Sequence, residues 1–272
     1  MSMNRRSMLG ASGRMRGAWI IAAGIFAASA SAQTAQTFIY LPPSADIDTT
    51  LPRPIAPLPP GMNPIFDSKT LNGWRQDPID SWMVKDGIIG SRGVGRGVLF
   101  TTKTYRNYRI VFDVRHVSGN PDHQACVLFF GLMPKDGEKP VDMLKGIQFQ
   151  VPLGGTWDYR DGHHNDGKGE ANGNEYDRFP KPPFDSHQWS RVEILINADK
   201  GTARLAVAQP VGGPAIEIGR FHVPEAGRQG PFALQMHNQG LFDEYANLAV
   251  EENPARDELI TVAKVRGVPF AR

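Results

Sequence analysis

The chain has 272 residues, of which 30 are Lys or Arg, 28 are Asp or Glu and one is Cys. A single cysteine excludes an intramolecular disulfide, so the fold has to rest on an apolar core. The positive charge is concentrated at one end: setting aside Arg5, Arg6, Arg14 and Arg16 leaves 26 basic against 28 acidic residues, with no clustered basic face of the kind a nucleic-acid partner needs.

Those four arginines precede an apolar run from Ala18 to Ala30, and the small residues Ala30-Ser31-Ala32 follow. This is the three-part layout of a secretory signal, with cleavage expected after Ala32 and export to the periplasm or beyond the cell. The run is shorter than the roughly 20 apolar residues that span a bilayer, and no second run of that length follows, so no transmembrane anchor is expected. Arg5-Arg6-Ser7-Met8-Leu9 resembles a twin-arginine signal, whereas a start at Met15 leaves a plain short one; both export routes stay open.

Residues 33–62 are rich in Thr, Ala and Pro and close on Leu58-Pro59-Pro60-Gly61. Such composition favours an extended, polyproline-like linker or arm. From residue 63 to 252 the pattern changes to short runs of period two bounded by Gly, Pro, Asn and Asp, which predicts antiparallel strands. Tyr108–Arg115 places Tyr108, Ile110, Phe112 and Val114 on one face. Gly146–Val151 places Ile147, Phe149 and Val151 opposite Gln148 and Gln150. Trp189–Ile196 and Thr202–Ala208 are predicted neighbours joined by a turn at Asp199-Lys200-Gly201. Ile216–Val223, Phe232–His237 and Tyr245–Glu251 complete the series, and residues 253–272 form a C-terminal extension. Many short strands without a helical period predict an all-β sandwich or barrel. Cys126, within the apolar run Ala125–Phe130, reads as a buried small hydrophobe and not a nucleophile.

Thr156–Phe184 interrupts the pattern as one long polar loop, and long loops inside compact domains are commonly functional. It carries Trp157, Tyr159, Asp161, His163, His164, Asn165, Asp166 and Glu170. Imidazoles and carboxylates of this kind can ligate a divalent metal ion, with His164 and Asp166 as candidate ligands, or supply a general acid or base, with His163 and Asp161 as candidates. The competing reading is a solvated loop whose Asp and Asn residues make turns.

Gln148, Gln150, Gln235 and His237 fall on the polar side of strands whose other side is apolar. On a concave sheet face the amides suit sugar hydroxyls, and Trp157 or Tyr159 could stack on a sugar ring; on an ordinary sheet they simply face solvent. His237 is the candidate base, because an imidazole ordinarily titrates near neutrality. No phosphate-binding glycine loop opens a helix, since Gly93-Val94-Gly95-Arg96-Gly97 lies between β-type runs. A serine elbow and a spaced pair of glycosidase carboxylates are also missing, and Asp243-Glu244 would point to opposite sides of a strand.

In order and spacing, several segments resemble the 3-keto-disaccharide hydrolase domain family. Ile65–Trp74 is similar to its opening "FDGKTLDGW", Trp82–Ile89 to its next strand "W-x-V-x-D-G", and Tyr105–Tyr108 to its "Y-x-[DN]-[FY]". Gly146–Gln150 resembles "G-x-E-x-Q", Trp189–Ile194 resembles "W-N-x-x-x-I", and Gly230–His237 resembles the closing "G-x-I-x-L-Q-x-H". The resemblance spans roughly residues 63–251 and implies a concanavalin-like jelly roll of two antiparallel sheets. It also implies a carbohydrate substrate already oxidised to a ketone at C3. The family's glutamate in "G-x-E-x-Q" aligns with Gln148, which leaves two main expectations: an enzyme whose loop and His237 supply the chemistry, or a non-catalytic carbohydrate-binding module. A cell-envelope scaffold tethered by the Pro-rich arm is a third.

Overall fold

The computed structural model of the protein describes residues 51–120, 125–139, 144–158, 176–179 and 182–262. Two antiparallel sheets face each other across one apolar core, an all-β concanavalin-like jelly-roll sandwich. Among the described residues the helical content is a single turn, Pro224–Ala226.

The larger sheet runs β10 (Tyr176–Arg178), β13 (Ile216–His222), β12 (Thr202–Ala208), β11 (Ser190–Asn197), β6 (Asn107–Ser118), β15 (Phe242–Glu252), β4 (Ile88–Ser91) and β3 (Trp82–Lys85), with β1 (Asn63–Pro64) also on β15. The smaller sheet runs β2 (Trp74–Asp77), β5 (Gly97–Tyr105), β14 (Gly230–Met236), β7 (Cys126–Phe129), β8 (Ile147–Gln150) and β9 (Thr156–Asp158). Period-two alternation does the sorting. Tyr108, Ile110, Phe112 and Val114 of β6 enter the core as expected, and so do Ile147 and Phe149 of β8. Phe129 meets Phe149 edge-on at 4.8 Å between ring centroids, an aromatic geometry that adds to plain area burial.

The turn between β11 and β12 lies where Asp199-Lys200-Gly201 predicts it, with Asn197 Oδ1 accepting from the Lys200 amide at 3.0 Å. Gly201 has φ 62°, and a Cβ there would sit 2.0 Å from the Val223 carbonyl oxygen, so no other residue fits without moving the backbone.

Two expectations are corrected. Trp82–Ile89 is not one strand but the hairpin β3–β4, turned by Asp86 (φ 51°) and Gly87 (φ 77°), the positive angles a two-residue hairpin loop demands. Thr156–Phe184 is not one uninterrupted loop: β9 and β10 occupy parts of it, β9 at one edge of the smaller sheet and β10 at one edge of the larger. Three residues of strand are too few to show a period in sequence.

The outer face of the larger sheet is charged and yet buried. Arg109, Asp113, Arg115, Arg191 and Glu193 are all at most 6% exposed. The segments flanking the sandwich cover this face: Leu51 packs beside Trp189 and Ala246, and Leu259 and Val262 pack on Leu195 and Ala206.

Candidate functional site

The outer face of the smaller sheet mixes glutamines with apolar side chains, and strand register assembles it. Asp77 pairs with Val98, Val98 with Gln235, Gln235 with Cys126, and Cys126 with Gln150, so these five residues form one row across β2, β5, β14, β7 and β8. The neighbouring row is Arg75, Phe100, Ala233, Leu128, Gln148 and Trp157. Directly paired residues share a face, so the three glutamines expected together are together. His237 follows β14 by one residue and Gln235 by two, so on an extended strand it falls beside Gln235 in the next row of the same face, and it is half-buried.

This face is not an open trough. Gln235 is 0% exposed, Cys126 1% and Gln148 3%, while Gln150 and Asp77 are half-buried. The chain after β7 turns back over it: the Leu132 amide donates to the Leu144 carbonyl at 2.7 Å, and Leu144 and Met133 pack on Val98, Phe100, Leu128 and Ala233. Access therefore lies toward Gln150, Asp77 and His237, not over the middle of the sheet. Gln148 Nε2 donates to Cys126 Sγ at 2.7 Å, and its Oε1 has no hydrogen-bond partner among the described residues. A buried carbonyl oxygen left in this state is costly unless a donor comes to it, and a ligand hydroxyl or a water can supply one. Cys126 is buried and in no disulfide, and it belongs to this row and not to the core between the sheets.

Trp157 stands directly across from Gln148 in the β8–β9 register. Tyr159, Asp161, His163, His164 and Asp166 lie outside the described residues. Among the described residues no three His, Cys, Asp or Glu side chains gather as a metal site.

A second polar centre lies between the sheets and escaped sequence reading. His116 on β6 and Asp243 on β15 are at most 1% exposed, with Nδ1 and Oδ1 2.7 Å apart. The Asp243 amide donates to Ser91 Oγ at 2.8 Å, and that hydroxyl donates to the Leu241 carbonyl at 2.9 Å. Asp243 Oδ2 has no partner among the described residues. Glu244 points the other way, to Arg115 at 2.7 Å, so the adjacent acids are split between two faces as expected of a strand and form no glycosidase pair.

Burial pushes the Asp243 carboxyl pKa up, and the bond to His116 only partly opposes this. A carboxyl whose folded pKa lies above its unfolded value of about 3.9 contributes stability that is full below that value and lost as pH rises through the folded one. Asp243→Asn removes the titration. Urea unfolding across this window is therefore expected to show the stability difference moving in the variant's favour as pH rises from about 4. A difference independent of pH contradicts the assignment.

The 3-keto-alpha-glucoside-1,2-lyase-like domain matches residues 61–251, which takes in every strand from β1 to β14 and nearly all of β15. The chain belongs to this family. The match bears out the resemblance read from the short motifs. No curated protein matches the chain. Among solved structures, a candidate glycosyl hydrolase from Parabacteroides distasonis is 17% identical, with a TM-score of 0.48, covering 71% of this chain and 94% of that one. A carbohydrate-binding module from Bacillus subtilis is 13% identical, with a TM-score of 0.45, over 66% of this chain and 96% of that one. The winged bean acidic lectin is 8% identical, with a TM-score of 0.44, over 68% and 94%.

Proposed function

We propose that this family member is an exported enzyme that cleaves glycosides already oxidised to a ketone at C3. The observation carrying the proposal is the family match over residues 61–251, joined to the row that holds Asp77, Gln235 and Gln150, with His237 two residues beyond Gln235. A C3 ketone acidifies the C2 proton. His237 takes that proton, and the charge that develops on the C3 oxygen is met by a hydrogen-bond donor, for which the half-buried Gln150 stands on the accessible side of the face. The electron pair then expels the C1 substituent, forming a C1–C2 double bond, and water adds back at C1 while the proton held by His237 returns to C2. Proton abstraction beside a ketone needs no pair of spaced carboxylates, in keeping with the split of Asp243 and Glu244. The polar segment with Asp161 and His163 belongs to the proposal as the source of the acid, Trp157 and Tyr159 as sugar platforms, and a divalent ion on His164 and Asp166 as an accessory.

The test is aglycone release from a 3-keto-glucoside, assayed with and without chelator. Release is expected, and its absence under both conditions removes the proposal. The second reading, a carbohydrate-binding module, is favoured by Gln148 where the family has glutamate. Gln148→Glu separates the two. In an enzyme that works without this carboxylate, the variant keeps turnover within about tenfold of wild type, a 1.4 kcal/mol effect. In a binding module whose carboxylate was lost, turnover appears only in the variant. The substituted carboxylate sits in a 3% exposed position, so a lower melting temperature is also expected.

A further inference from the structure

The outer face of the larger sheet holds a site unrelated to the sugar-facing row. Asp113 on β6 and Arg191 on β11 are directly paired in register and joined twice, Nε to Oδ1 at 2.8 Å and Nη2 to Oδ2 at 2.9 Å. Asn247 on β15 joins them, its Nδ2 donating to Asp113 Oδ2 at 2.6 Å. It sits in a register shift of β15 with φ 54°, which turns its amide onto the pair. Three rigid strands thus hold a fork of donors whose acid partner is already in place.

The fork is filled by the chain's own arm, through backbone oxygens. Arg191 donates from Nη1 to the Pro57 carbonyl at 2.5 Å and from Nη2 to the Ala56 carbonyl at 3.0 Å, and Asn247 donates to the Pro54 carbonyl at 2.8 Å. The Ile55 side chain, within the bound stretch, is 93% exposed. An extended proline-rich segment leaves its carbonyls without internal partners, which is what such a fork requires. Arg191 is 6% exposed, and its guanidinium needs acceptors that Asp113 alone cannot supply.

We propose that Arg191, Asp113 and Asn247 form a main-chain clamp for extended proline-rich peptide, loaded in cis by residues 54–57 and able to take the same kind of segment in trans. The clamp itself holds three carbonyls and leaves the Ile55 side chain outside, so affinity does not follow the identity of residue 55. It is built on strands, so it persists when the arm leaves.

The test uses the full chain with a protease site introduced at Gly61, which is exposed, has φ 85° and offers open space to a side chain. After cleavage of the native protein, a fluorescent peptide spanning residues 51–62 is added and followed by anisotropy. Saturable binding is expected, with Ile55→Ala in the peptide changing affinity by less than about twofold, as for an exposed side chain. Asn247→Gly, which keeps the positive φ, is expected to weaken binding about 2–10-fold, as for one neutral hydrogen bond. Arg191→Lys is expected to weaken it more than about tenfold, as for hydrogen bonds to a charged group. The proposal is overturned if the folded, cleaved chain binds no labelled peptide, whether because the arm never exchanges or because it leaves an inert face. It is also overturned if the cleaved chain unfolds on losing the arm, or if binding follows Ile55 and ignores Asn247→Gly.

Discussion

Glu193→Ala is expected to lower folding stability by about 3–5 kcal/mol, the range for breaking a buried ion pair from one side. The Glu193 side chain is fully buried on β11 and accepts from Arg109 Nε at 2.8 Å. The same carboxylate accepts from the Ile260 amide at 2.9 Å, the Thr261 amide at 2.8 Å and the Thr261 hydroxyl at 2.5 Å. Arg109 keeps an ion pair with Glu251 and a bond to the Glu258 carbonyl at 2.7 Å, so its charge is not left bare. The loss is therefore shared between a weakened ion pair and three donors of the C-terminal segment left without an acceptor. At roughly 2–4 °C per kcal/mol for a domain of this size, a fall in melting temperature of about 6–20 °C is expected. Glu251→Ala is the control. That side chain is 29% exposed, where solvent screens the pair, and its removal should cost about 1 kcal/mol or less. Equal losses from the two variants would contradict the view that burial, not ion pairing as such, makes Glu193 important. Hydrogen exchange gives a second readout, since the amides of Ile260 and Thr261 should lose protection in Glu193→Ala well before those of β11.

How much of this was legible in the sequence differs by element. The strands β6, β8, β11, β12, β13, β14 and β15 were all foreseen, because alternation between a core face and a second face is written directly into residue order. The β3–β4 hairpin was missed although its signal, Asp86-Gly87 between two apolar runs, is among the strongest a sequence carries. The glutamine row was foreseen as a polar face, but its burial was not. Alternation reports which side a residue is on and says nothing about what later folds over that side, and here Met133 and Leu144 do so. The same limit hid the clamp and the Glu193 site. Arg109, Asp113 and Arg115 alternate with core residues of β6 and look like ordinary solvent-facing charges. Only the opposed charges of β11, Arg191 and Glu193, hint at pairing across the sheet. His116 and Asp243 are 127 residues apart, and nothing local marks them as partners.

His237→Ala is expected to reduce kcat for a 3-keto-glucoside by about 10²–10⁴-fold, the usual contribution of a positioned general base. The residue is suited to a clean test. It lies beyond the last paired position of β14 and is half-buried, so truncation leaves Leu234 and Met236 packed in the core and the Gln235 row in register. One control distinguishes a base from a mere binder of sugar hydroxyls. His237→Gln retains a hydrogen-bonding group but accepts no proton. If His237 is the base, the glutamine variant is as slow as the alanine variant, with KM changed little. If it only binds substrate, glutamine preserves kcat and the alanine variant raises KM instead. An alanine variant that retains full kcat would move the base into the polar segment that holds Asp161 and His163, and would leave the glutamine row with a binding role alone.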